Sequence, residues 1–442
     1  MTLKILPPMY QSGGTSLSDW LSLFTLCLTP FAVHLLAGVP AVSYLVRGAG
    51  GGGPRWHDTL CHYNPTSILW RYVAITDRRI RARRWSAADM AAANALFWTA
   101  RGWDGSEETA VAVAVGGPSA PQCRRLPAYP RVELFSLEAV KTVVVAAQGC
   151  QAFAALFMYV KEVSLEALFF PLAIFGLARL FPALWLTDDY EFTSLPHDAA
   201  AAPSSRKDSV DSLILGDRYD GSDQDTSSDE AHDPDSRFRP VSFWGSRAFR
   251  LFIFLLLAVI LIKSIINDIP ATGLDYMATT TSFFNSLFYI SLVVASTLML
   301  SFYWIRTGPR STIIPCISSV WYKIYTILVF ILMAALLVVT AIETRRTPCG
   351  VYTTFPGYEG DNWACSKQNV NLVPFDGKGE EFRLYKFGQF GLATNMADGM
   401  PLPSDLKLDE GEFVVDYFTG TCLGHFTGSS RIHASTLDTI AP

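Results

Sequence analysis

The stretch His57-Asp58-Thr59-Leu60-Cys61-His62 places two imidazoles and a thiol within six residues. These are metal-ligating types, but a zinc site needs four ligands, usually as two spaced pairs. Cys123 could supply a fourth ligand only by chance, because no spacing requires it. Packing is therefore the reading, with no metal and no cofactor. No H-E-x-x-H, G-x-S-x-G or Walker sequence occurs, so no catalytic residue is assigned and the chain reads as a non-enzyme. Gly48 to Gly53 has the glycines of a phosphate loop without its GK[ST] ending, and reads as a flexible linker.

A second kind of chemistry would come from polar groups inside apolar runs, where ionisable residues mark functional paths. His34, Gln148 and Gln151 are the candidates for an intramembrane polar path. The rival reading is ordinary hydrogen bonding between helices. Arg179, near the inner end of its run, is expected to snorkel to the surface. A third is charge recognition. Arg78, Arg79, Arg81, Arg83 and Arg84 form one cluster, and beside a membrane it would meet anionic lipid headgroups, or else act only as a topology signal.

Asp188 to Arg237 holds 14 acidic and 4 basic residues. Such a segment buries too little apolar surface to order itself and reads as a disordered linker. Ser209 follows Arg206, and Ser222, Ser227 and Ser228 sit among acidic residues. All four are candidate phosphorylation sites. In the carboxyl tail, Cys349 and Cys365 are the nearest pair for a disulfide, with Cys422 left over.

The elements that must position these groups are apolar. Half of the 442 residues are hydrophobic and only 17% are charged. A span needs about 20 apolar residues, and six runs qualify: Leu21 to Val46, Thr142 to Val160, Leu165 to Leu186, Phe249 to Ile266, Phe283 to Ile305 and Ile324 to Ile342. Runs two and three would form a tight hairpin around Lys161, or a re-entrant pair. Ala87 to Ala100 is too short to span and reads as an amphipathic or partly buried helix.

The expected fold is an all-α transmembrane bundle of about six helices. Its parts are residues 1–46 (amino terminus and first helix), 47–136 (Arg-rich cytosolic loop), 137–186 (helices two and three), 187–246 (acidic linker), 247–343 (helices four to six) and 344–442 (a small tail domain with strands expected at Glu381 to Phe387 and Phe413 to Phe418). The Arg-rich loop faces the cytosol by the positive-inside rule. Both termini then lie on the non-cytosolic side, against which Arg345 and Arg346 count. The first run reads as an uncleaved anchor, not a signal peptide. A net charge of −5 and a pI near 5.8 argue against nucleic acid. The partners expected are the bilayer, anionic lipids and cytosolic proteins.

WHDTLCHYNPTSILWRYVAITDRRIRARR at 56–84, NALFWTARGWDGSEE after it and SLSDWLSLFTLCLTP in the first run together resemble uncharacterised multi-pass membrane proteins of filamentous fungi. The resemblance implies membrane location and carries no functional residue. The functional expectation is a non-enzymatic membrane scaffold, sensor or docking protein. The alternative is a transporter or channel for a small solute or ion.

Overall fold

The computed structural model describes residues 4–5, 10, 17–40, 42–44, 53–99, 101–115, 122–158, 164–193, 237–268, 277–306, 308, 310–347, 350–356, 364 and short strands between 373 and 433. Ten helices are used below: α1 (Leu17–Gly38), α2 (Trp56–Leu60), α3 (Pro65–Arg81), α4 (Ala87–Asn94), α5 (Glu107–Val115), α6 (Leu137–Met158), α7 (Phe170–Gly176), α8 (Trp244–Asp268), α9 (Thr280–Arg306) and α10 (Val320–Glu343).

Four of these, α1, α8, α9 and α10, are long and apolar enough to cross a membrane. Only 22% to 33% of their apolar stretches is buried within the protein. Leu251, Leu255 and Val259 on α8, Leu298 and Ile305 on α9, and Leu328, Ile331 and Val338 on α10 all face outward. Soluble monomers rarely expose apolar surface on this scale. Hydrocarbon accepts it, and a helix satisfies its own backbone there. The chain is a membrane protein.

The helices gather into one bundle with two distinct ends. At one end the Asp19 carboxylate of α1 lies 3.7 Å from Arg346, just past α10. Glu343, closing α10, accepts the amide of Thr281 at the start of α9 (2.9 Å). At the other end, the Gly38 carbonyl closing α1, the first turns of α8 and α10 and the last turn of α9 meet the segment made of residues 56–99 and 101–115. This segment folds as a cap. Its sheet pairs Val42–Tyr44 parallel to Leu96–Thr99, which pairs antiparallel to Gly102–Asp104. Gln122–Arg125 pairs antiparallel with Glu191–Thr193.

Several expectations change. The first run stops at Gly38 instead of continuing to Val46. A Cβ on Gly38 would lie 2.5 Å from Ile68, and Pro40 cannot continue the helical hydrogen bonds, so the chain turns into the strand Val42–Tyr44. Ala87 to Ala100 divides into α4 and the strand Leu96–Thr99. Run two is α6, entered at Leu137.

Run three is not one helix. It is a 3-10 turn (Leu165–Ala167), α7, a second 3-10 turn (Leu177–Leu180) and further turns. Pro171 and Pro182 each remove an amide donor, which fragments the segment. It nevertheless runs from end to end. The Leu165 amide donates to Thr344 Oγ1 at the far end (3.3 Å), and Asp188 pairs with Lys141 at the capped end (3.0 Å). The six continuous helices of the sequence reading thus become four membrane-length helices, α6 and a broken crossing. Gly149 lets α6 and the broken crossing approach closely, since a Cβ there would lie 2.5 Å from Leu177.

In the tail, Arg383–Phe387, Phe390–Thr394, Glu412–Asp416 and Ser430–His433 form a four-stranded sheet in that order. Two of these strands fall where strands were expected. Ser209, Ser222, Ser227, Ser228, Cys349 and Cys365 lie outside the described residues.

Candidate functional site at the capped end

α3 begins where Asn64 accepts the Thr66 amide (2.9 Å) and Pro65 takes the first helical position, a residue pair suited to a helix start. All of α3 except Arg79 and Ile80 is buried. Its polar side chains are therefore interior groups, and nearly all of them are bonded.

The amino-terminal half fastens the cap to α9 and α10. Asn64 Nδ2 donates to Thr326 Oγ1 (3.0 Å), and Thr66 shares hydrogen bonds with Ser296 (2.8 Å) and Tyr325 (3.1 Å). Ser67 Oγ donates to the Cys61 carbonyl (2.7 Å), so the hydroxyl of Tyr322, 2.6 Å away, donates to Ser67. Asp58 meets Lys323 at 2.5 Å. Its burial raises its pKa, but the Lys323 bond, the Arg55 amide and the charge of Lys323 together outweigh this and hold the carboxyl below the usual range.

The carboxyl-terminal half is an ion network. Asp77 accepts from Arg81 Nε (2.9 Å), from Arg250 Nε of α8 (3.3 Å) and from Ser246 Oγ. Arg81 also reaches Glu107 of α5. Burial alone would lower its pKa, but Glu107 and Asp77 raise it instead. Breaking such a network strands a buried charge. Arg78 is buried as well and donates to the Gly105 carbonyl (2.8 Å). Burial lowers its pKa to about 10. Arg79 lies over the rings of Trp85 (5.7 Å) and Trp185 (5.5 Å). Arg83 donates its amide to the Arg237 carbonyl (2.9 Å), and Arg237 pairs with Asp89 (2.7 Å), so residues 237–240 strap across the end of α3.

The expected headgroup cluster is therefore corrected. Arg78 and Arg81 are interior, because Asp77, Glu107 and backbone carbonyls claim them. Arg79 is held between the two tryptophans. Arg83 and Arg84 alone of the five are exposed.

A further interior cation is Arg71. It donates to the Gly38 carbonyl (2.7 Å) and to the carbonyl (3.3 Å) and side-chain oxygen (3.0 Å) of Asn94. Asn94 also donates to the Trp185 carbonyl (2.7 Å) and accepts from Tyr190 (3.2 Å). One amide thus joins α4, α3 and the end of the broken crossing. Beside Arg71, the ring of His62 stands edge-on to Trp103 with centroids 4.4 Å apart. Burial, then Arg71, pushes its pKa down to about 3. His57 lies 3.8 Å from Asp58, and its carbonyl accepts from Cys61 Sγ (3.2 Å). Among the described residues no three of His, Cys, Asp and Glu are placed to hold a metal.

The expected polar path does not assemble. His34 is buried and faces the broken crossing, where a Cβ on Gly176 would lie 3.5 Å from its Nδ1. Gln151 is exposed and Gln148 only half-buried. What lies one turn from His34 is Arg179, which is buried and does not snorkel. It donates to the Ala37 carbonyl, to Thr142 (3.0 Å) and to Glu138 (2.8 Å). Sequence reasoning missed Asp77, Arg71, Asn94, Glu107 and Glu138. For Asp77 a signal existed, its i,i+4 spacing from Arg81.

Comparison with protein families, with curated proteins and with solved structures finds no match.

Proposed function

We propose that this chain is a non-enzymatic multi-pass membrane protein that holds a rigid docking platform at the cytosolic face. The observation that carries the reading is the network of Asp77, Arg81, Glu107 and Arg250, which seats the cap on the bundle. A cap whose charges are used internally is rigid. Arg83 and Arg84 project from it beside the strap at Arg237, as a basic contact for cytosolic proteins or anionic lipids. The excess of arginine at this end agrees with a cytosolic address.

Proximity labelling from a tag at the cap tests this, comparing wild type with the double variant Arg83→Ala, Arg84→Ala. Surface changes of this kind alter stability by no more than about 0.5 kcal/mol, so the platform stays folded. A several-fold loss of specific cytosolic neighbours is expected. An unchanged set removes this surface from the function.

The transporter reading keeps one observation in its favour. Broken membrane segments and buried ionisable groups occur together where solutes pass, and here Arg179 and His34 lie at a broken crossing. Flux of a panel of ions and small solutes into proteoliposomes, lost in His34→Phe, would favour it over the platform.

A further inference from the structure

A small cavity of about 10 Å³ lies where the end of α1, the turn Cys61–Tyr63, α3 and the segment 312–317 meet. Its polar side chains are those of His62, Ser67, Arg71 and Thr312, and Ile313, Ile314 and Ile317 form an apolar wall. We infer that this cavity binds a small inorganic anion of halide type.

Arg71 is always protonated, it is buried, and each of its hydrogen bonds goes to a neutral oxygen, of Gly38 or Asn94. The carboxylates nearby are committed to other cations. Asp58 is held by Lys323, Asp188 by Lys141, and Glu138 by both Lys141 and Arg179. A buried charge without a partner is costly, so this corner of the cap is electropositive. His62 Nε2 is buried and has no hydrogen-bond partner among the described residues. As the Nε2–H tautomer it donates into the cavity. Ser67 and Thr312 are excluded as donors, because their protons go to the Cys61 and Gly105 carbonyls.

A water molecule would satisfy His62 and leave Arg71 uncompensated. A monatomic anion answers both. The space admits one particle of about the size of water, so a halide sits tightly and the isoleucine wall yields by a few tenths of an ångström. Phosphate, sulfate and carboxylates are too large.

The test is thermal unfolding of the purified full-length protein in detergent, in sodium chloride, bromide or gluconate at equal ionic strength. A ligand that binds only the folded state raises the midpoint in a saturable manner. A rise of a few degrees with chloride and bromide, absent in gluconate, is expected. Arg71→Gln should abolish it. Because that variant can lose the fold, His62→Phe, which removes the donor and fills the space, serves as the second. It should fold and lose the halide response. An anomalous peak beside Arg71 in bromide-soaked crystals would place the ion. Equal midpoints in halide and gluconate, a halide response that survives both substitutions, or ordered water at the site in bromide would each overturn the inference.

Discussion

α3 and α10 are built in opposite senses. α3 carries Arg71, Asp77, Arg78, Arg79 and Arg81 in 17 residues, and almost all of it is buried. α10 is nearly all apolar, yet Trp321, Ile324, Leu328, Ile331 and Val338 are exposed. In a water-soluble protein that distribution would be reversed. The difference shows which medium each helix meets. α10 presents apolar surface to hydrocarbon, which is as apolar as leucine and gives no drive to hide it. α3 meets other protein, where each buried polar group needs a partner, and its partners come from α5, α8, α9, α10 and the segment 237–240.

The comparison breaks most visibly at Asp77. Asp77→Ala leaves Arg81 with Glu107 and Arg250 with no carboxylate, and removing one partner of a buried ion pair costs about 3–5 kcal/mol. The full-length protein should unfold at clearly lower temperature, and protease should cut the cap before the bundle. A loss below about 1 kcal/mol would put the network in the class of surface ion pairs, and the platform would lose its basis.

The opposite intervention adds a charge where the protein has none. Leu255 is exposed on α8. Leu255→Arg at a lipid-facing position near the helix centre should cost about 2.5–3.5 kcal/mol of insertion. Membrane-integrated yield in a translocation assay measures this. If Leu255→Arg integrates as well as wild type, the outer face of α8 does not contact hydrocarbon.

The same contrast explains what could be read from sequence. The long helices were legible because apolar length is a local property, and α1, α8, α9 and α10 each fall on an apolar run. The broken crossing was not, because Pro171 and Pro182 sit in a stretch apolar enough to pass as a span. The burial of Arg78 and Arg81 was hidden for another reason. An Arg cluster looks the same in sequence whether lipid headgroups or Glu107 and backbone carbonyls receive it, and those partners lie dozens of residues away. Arg71 drew no notice as a lone cation, yet it is buried and held by the neutral oxygens of Gly38 and Asn94. The path through His34, Gln148 and Gln151 failed on helix phase. Gln151 falls on the outward face of α6, while Val145 and Gly149 face inward.

The smallest effect tests how dry the cap is beside the seam it shares with α10. His62 in the folded protein has its pKa lowered from 6.5 to about 3, by burial and then by Arg71, with Asp58 opposing. Between those values the unfolded chain binds a proton that the folded one refuses. The contribution of His62 to stability is therefore complete above pH 6.5 and is lost as pH falls toward 3, by up to about 1.4 kcal/mol per unit. Asp58 does not confuse this window, because its carboxyl is held below its ordinary value of 3.8 and stays ionised across pH 6 to 4.5. Unfolding should be measured in gluconate, since an anion beside His62 would favour its protonated form. The difference between wild type and His62→Phe cancels every group that titrates alike in both. Wild type should lose stability faster than the variant on acidification from pH 6 to 4.5. Equal slopes would mean that water reaches His62, and the cap would then be a wetter structure than its packing against α10 implies.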